Sequence, residues 1–109
     1  NIGHLQTATA TTTTTSSNQV IATAPADSLR SGEIIVQGVD ATGTKYHTTK
    51  ILFAHNGTTV TFTEYGSVDV GGKVATYSMA ISGNDIQLLA TPLSTNSTVY
   101  KMAATFIAV

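Results

Sequence analysis

Residues 44–66 read TKYHTTKILFAHNGTTVTFTEYG, and the way they pair decides the fold. Asn56-Gly57 is a strong hairpin signal, since both central positions of a type I′ turn need φ > 0, which glycine takes freely and asparagine tolerates. With those two residues as the loop, the expected register sets His55 against Thr58, Phe53 against Val60 and Ile51 against Phe62. It gathers Ile51, Phe53, Val60 and Phe62 on one face and leaves Lys50, Leu52, Ala54, Thr59, Thr61 and Thr63 on the other. A slip of one residue would scatter the apolar set, so pattern and turn chemistry agree on an antiparallel hairpin.

The rest of the chain repeats this grammar. In KVATYSMAIS (73–82), Ala75, Tyr77, Met79 and Ile81 alternate with Val74, Thr76, Ser78 and Ala80. Gly83-Asn84 puts glycine first, as a II′ turn wants, and sets Ile81 against Ile86, Met79 against Leu88 and Tyr77 against Ala90. Upstream, Gln19–Ala24 is a short strand stopped by Pro25, residues 26–32 form a polar connection with Leu29 its one apolar residue, and EIIVQGV (33–39) is apolar on both faces and is placed centrally. Asp40-Ala41-Thr42-Gly43 turns into the principal hairpin, SVDVGG (67–72) reads as a looser link, and PLSTNS (92–97) as a loop. In the closing TVYKMAATFIAV, Tyr100, Met102, Ala104 and Phe106 alternate inward, and the apolar IAV end is expected to be pinned in a sheet. No apolar set holds a helical period over ten positions. The expected fold is all-β: an antiparallel β-sandwich, jelly-roll-like or Ig-like, of 7–8 strands over residues 19–109.

Residues 1–18, NIGHLQTATATTTTTSSN, stand apart as a Thr-rich low-complexity arm. Threonine is β-branched and favours extended backbone, so this segment is a strand where another strand lies beside it and a stiff linker where none does. Without apolar alternation it cannot fix its own register, and exchange between subunits is one way for a partner to impose it. The start lacks an initiating Met and a basic segment, so a processed chain or a piece of a longer one is expected.

With 109 residues the chain can bury roughly two thirds of its unfolded surface and needs no metal or disulfide to fold. Only 10% of residues are charged and the formal net charge is −1, with Arg30, Lys45, Lys50, Lys73 and Lys101 spread singly, which argues against nucleic acid or anionic membrane as partner. No apolar run reaches the eighteen or so residues of a membrane helix. The absence of cysteine excludes thiolate metal sites, and 21 threonines with few charges suit a surface that packs against copies of itself.

Reactive constellations are scarce. His47, His55 and Glu64 fall on the apolar face of the principal hairpin, with His47 and Glu64 in diagonal reach at its open end and His55 beside the turn, facing solvent or a neighbouring subunit. Metal sites need three or four convergent ligands, so these residues are assigned to a polar rim and no metal or cofactor is expected. No Gly-x-Ser-x-Gly occurs, and Asp27, Glu33, Asp40, Glu64, Asp69 and Asp85 lie mostly in turns or at strand ends, so no catalytic residue is assigned and the chain is not expected to be an enzyme. Asn56-Gly57-Thr58 and Asn96-Ser97-Thr98 match the glycosylation pattern but are explained as turn and loop chemistry. Tyr46 and Tyr65, if outward, could stack on a sugar.

Taken in order, Arg30-Ser31 before an apolar strand, His55–Thr59 leading to Thr63–Gly66, the Ile81–Gly83 turn and the Leu88–Pro92 strand end resemble the small C-terminal β domains of bacteriophage virion structural proteins, particularly fibre- and neck-type proteins of marine and cyanobacterial phages. The resemblance spans residues 19–109. It implies a non-enzymatic virion component, usually trimeric, with other virion proteins as partners and no catalytic residues to transfer. Fibre, neck appendage and capsid decoration (cement) protein all fit it. The alternative is a carbohydrate- or receptor-binding module directed at a host surface glycan.

Overall fold

Turn chemistry and alternation act first at the second hairpin. Gly83 takes φ +59, the left-handed position a II′ turn asks of its first central residue. Ala75–Ser82 and Asp85–Pro92 then pair with Ile81 on Ile86, Met79 on Leu88 and Tyr77 on Ala90, as the sequence predicts. The computed structural model describes residues 3–109, so the first two residues of the Thr-rich arm lie outside it. It contains eight strands: β1 (Gly3–Thr12), β2 (Gln19–Pro25), β3 (Leu29–Asp40), β4 (Lys45–His55), β5 (Val60–Val70), β6 (Ala75–Ser82), β7 (Asp85–Pro92) and β8 (Thr98–Ala108).

The strands form two antiparallel sheets, one of five in the order β1-β8-β3-β4-β5 and one of three in the order β2-β7-β6, packed as a β-sandwich. β1 pairs β8 and β2 pairs β7, a nested arrangement of jelly-roll type, whereas β3-β4-β5 is a plain meander. The core lies between the sheets: Ile34, Val36, Ile51, Phe53, Tyr100, Met102 and Phe106 meet Tyr77, Met79, Ile86 and Leu88. Two glycines on the inner side of β3 make room for rings. Phe53 and Phe106 meet edge to face at 5.9 Å beside Gly32, and Tyr77 and Tyr100 do the same at 6.3 Å beside Gly38.

The principal hairpin departs from its expected register by two residues. His55 pairs Val60, Phe53 pairs Phe62 and Ile51 pairs Glu64, so the loop is Asn56–Thr59 rather than Asn56-Gly57 alone. The Asn56 side chain causes this. Its Oδ1 accepts from the N–H groups of Thr58 (3.1 Å) and Thr59 (2.9 Å), while its own N–H donates to Thr59 O, closing a four-residue turn with positive φ at Gly57 only. Because side chains alternate with period two, a slip of two residues keeps every face: Ile51 and Phe53 are buried, Val60 and Phe62 half-buried, and Leu52 and Ala54 exposed.

Three further expectations are corrected. SVDVGG is not a link, since Ser67–Val70 continues β5 against β4 past a shift between Thr48 and Lys50. Gly66, at φ +66, supplies the bulge residue that lets Gly66 and Ser67 together oppose Thr49. The 26–32 connection is shorter than expected, because β3 begins at Leu29, which is fully buried. β3 is central by pairing, but its outer side is open and Ile35 is exposed there.

Gly3–Thr12 of the Thr-rich segment pairs with β8 of its own chain. Its ten rungs run unbroken from Gly3–Ile107 to Thr12–Thr98. Ala8 and Ala10 turn inward and pack on the core while Thr7, Thr9 and Thr11 turn out, an alternation that the run of threonines hides in the sequence. The C-terminal strand is held as expected, with Tyr100, Met102, Ala104 and Phe106 buried and the Val109 N–H on Ser28 O.

Candidate contact face

The histidines expected at a polar rim are both buried, in different places. His55 lies beneath the 56–59 turn: its Nδ1 accepts the Gly57 N–H at 2.9 Å, so Nε2 carries the proton and donates to Leu29 O. Rather than facing solvent or a neighbour, it ties the turn to the start of β3, and Arg30 adds a bond to its carbonyl. His47 is fully buried at the opposite end of β4, stacked on Tyr77 at 6.0 Å, with Nε2 on Ser67 Oγ at 3.0 Å. The Gly66 bulge puts Asp69, not Glu64, opposite His47, and Glu64 stays exposed at the sheet edge. Among the described residues no three His, Asp or Glu side chains converge as a metal site would require.

Among the described residues, His47 Nδ1 and the Tyr77 hydroxyl are buried without hydrogen-bond partners. Burial pushes the Tyr77 phenol up, with smaller contributions from Tyr100 and Glu64. Burial also lowers the His47 imidazole below its ordinary value. Glu64 and Asp69 oppose that shift and Lys73 adds to it. A neutral, buried His47 contributes stability that is fully present above about pH 6.5, the unfolded value, and is lost as pH falls through the lowered folded value. Thermal melts from pH 7.5 to 5 should therefore show wild type losing its margin over His47→Gln as the solution is acidified. A constant gap would contradict this.

The two glycosylation-like asparagines are internally engaged. Asn56 caps its own turn, and Asn96 Nδ2 donates to Asp40 Oδ2 at 3.1 Å beside Ser94. Asp40 is buried at the end of β3, where its Oδ1 accepts the Gly43 N–H at 2.9 Å. That backbone bond holds its carboxyl below the usual range against the cost of burial, with Asn96, Ser94 and Lys45 assisting. Sequence reasoning took Asp40 for a turn residue and missed that it also anchors the 92–97 loop.

The distinctive surface is the outer side of the five-stranded sheet. In its end row Val99, Val39, Tyr46 and Val70 lie side by side across four strands. The next row, Lys101, Gln37, Thr48 and Val68, is mostly polar; Ala103, Ile35, Lys50 and Tyr65 follow, and then Thr105, Glu33, Leu52 and Thr63. Val68 and Val70 are 64% and 69% exposed and Leu52 50%, with Tyr46, Tyr65, Ile35 and Ile107 also open to solvent. The bulge creates part of this face, since it reverses the alternation of β5 so that Val68 and Val70 point out while Val60 and Phe62 point in. At its centre the Tyr65 hydroxyl donates to Glu33, Lys50 Nζ lies 3.8 Å from the same carboxylate, and Lys50 sits 6.0 Å from the Tyr65 ring centroid. The bond to Glu33 is the main cause that pushes the Tyr65 phenol up. The outer side of the three-stranded sheet shows Thr76, Ser78, Gln87 and Thr23, with Val20 its one large exposed apolar residue among the described residues.

No family model and no curated protein matches the chain. Among solved structures, the tailspike protein of Acinetobacter phage vB_ApiP_P1 superposes with a TM-score of 0.52 at 16% identity, over 93% of this chain and 22% of that one. Tailspike gp49 of Acinetobacter baumannii bacteriophage Fri1, a capsular polysaccharide depolymerase, does so with a TM-score of 0.52 at 18% identity, over 98% of this chain and 20% of that one. The chain thus spans about a fifth of the tailspikes it matches, and at these identities the likeness is one of fold.

Proposed function

We propose that this chain is a structural domain of a bacteriophage virion appendage of tail type, working by assembly rather than by catalysis. The single observation that carries the reading is the set of exposed apolar side chains on the outer face of the five-stranded sheet, Leu52, Val68 and Val70 with Tyr46, set around the polar Glu33–Lys50–Tyr65 cluster. A sheet face of this kind marks a contact surface, and the chain's low charge presents little repulsion between copies. The fold shared with a fifth of two phage tailspikes supports the assignment to a tail appendage, and with it a place in the virion beside other virion proteins. The depolymerase activity named for one of them belongs to a far longer chain. A homotrimer is the proposed assembly. Capsid decoration fits the same face, and the link to marine or cyanobacterial phages rests on the sequence resemblance alone.

The test is oligomeric state by light scattering at micromolar concentration, where wild type is expected as an oligomer. Tyr46→Asp with Val70→Asp, a directly paired and exposed couple, should weaken association more than tenfold while leaving the sheet spectrum intact. A monodisperse wild-type monomer would overturn the assembly reading.

A second reading, a carbohydrate-binding module, is favoured by one observation: Tyr46 and Tyr65 do lie outward, on a face that also carries Glu33 and Lys50. Glycan-array binding abolished by Tyr46→Ala and Tyr65→Ala would support it over assembly alone.

A further inference from the structure

We infer that β1 is exchanged between copies, so that Gly3–Thr12 of one chain lies on β8 of the next. The inference rests on the reading that copies assemble, and adds how they interlock. The two outer strands of the five-stranded sheet are built differently. β5 carries the Gly66 bulge and has Glu64 and Asp69 on its inner side, devices that discourage pairing at an edge. β1 has no Lys, Arg, Asp, Glu or Pro, and its ten rungs with β8 continue without a shift.

Ten backbone rungs hold β1 on β8. On its inner side Ala8 and Ala10 are only partly buried, and a cavity of about 80 Å³ lies beneath, lined by Ala8, Ala22, Ala24, Ala104, Met102 and Phe106 among others. Among the described side chains of β1, one bond reaches β8, between Thr12 Oγ1 and the Tyr100 hydroxyl at 3.1 Å. Ten rungs and that bond are available in the same form on a neighbouring chain's β8, so exchange gives up no contact of the strand itself.

The connection to β2 permits the crossing. Residues 13–18 are exposed throughout, and the Gln19 side chain and Thr91 fix its later part through Thr14, Ser16 and Asn18. Released from those bonds and extended, six residues span about 20 Å, enough to carry the strand across a neighbouring edge. The partner is a second copy because β1 fits β8 rung for rung, and Ala8, Ala10 and Thr12 meet Met102, Tyr100 and Thr98 there.

The natural chain has no cysteine, which makes the test clean. Thr9 and Lys101 are paired directly and both exposed, and cross-strand Cα separations of about 4.5–5.5 Å fall within disulfide range. Thr9→Cys with Lys101→Cys, oxidised and run on a denaturing, non-reducing gel, should give covalent multimers, while each single variant gives none. A bridged monomer on the gel from a sample that light scattering shows to be an oligomer overturns the exchange and leaves the assembly reading standing. Should the wild type be a monomer, both fall. Deleting Thr13–Thr15 is the second readout, needing no bridge: a strand too short-tethered to fold back should shift the chain further to oligomer, and a shift to monomer overturns the exchange.

Discussion

Phe53→Ala is expected to destabilise the protein by about 4 kcal/mol, the usual scale for losing a buried phenylalanine, and to lower the melting temperature by roughly 20 °C. Phe53 is 2% exposed, in the middle of the core, and its ring meets Phe106 edge to face beside Gly32. Domains of this size hold only about 5–15 kcal/mol in all, so the variant should be close to unfolding at 37 °C. Leu52→Ala is the control. That side chain lies next along β4 but on the outer face, half exposed, and its loss should change a monomer's stability by less than about 0.5 kcal/mol. Circular-dichroism melts of the two variants read the facing of β4 directly: equal losses would mean that the sheet is not oriented as described.

Gly32→Ala is expected to cost about 3 kcal/mol, at the upper end for forcing extra volume into a packed core. A Cβ there would meet the Thr105 carbonyl oxygen at 2.6 Å, Phe106 Cδ1 at 2.9 Å and Phe53 Cε1 at 3.1 Å. The rings can yield a little, but the carbonyl belongs to β8 and cannot retreat without disturbing its pairing with β3. Gly83→Ala makes the contrast. Among the described residues nothing lies within 4 Å of that position, so only the left-handed backbone is strained, at about 1–2 kcal/mol. A denaturant titration in which Gly32→Ala proved the milder change would overturn this account of why β3 carries a glycine between two phenylalanines.

Alternation with period two made the faces of both hairpins legible in the sequence, but it cannot tell registers two residues apart, so the register rests on the turn. Gly83-Asn84 and the Tyr77-Met79-Ile81 alternation gave the β6–β7 register rung for rung. The first hairpin was legible in its faces but not in its loop, because Asn56 spends its side chain on capping three residues ahead instead of adopting φ > 0. Gly66 misled for the converse reason. A glycine followed by serine and then Gly71-Gly72 reads as a link, and only the partner strand reveals a bulge with a strand continuing beyond it. His55 was misplaced because residues beside a turn are ordinarily wet, whereas its burial depends on the Leu29 carbonyl, 26 positions earlier. The contact face was hidden from the pattern too. Ile35 and Val39 opposite Ile34 and Val36 suggested a strand covered on both sides, and the sequence has no way to say that the second cover is missing from this chain.

Thr12 and Tyr100, which share the hydrogen bond between β1 and β8, are 88 positions apart, and β8 is also the strand that joins β1 to the rest of its sheet. During translation the first strand therefore leaves the ribosome long before its seat is made. At several residues per second it waits some seconds as a bare, uncharged ribbon. Throughout that interval its backbone donors and acceptors are unpaired, so the sheet's longest uninterrupted ladder is also the last that its own chain can close.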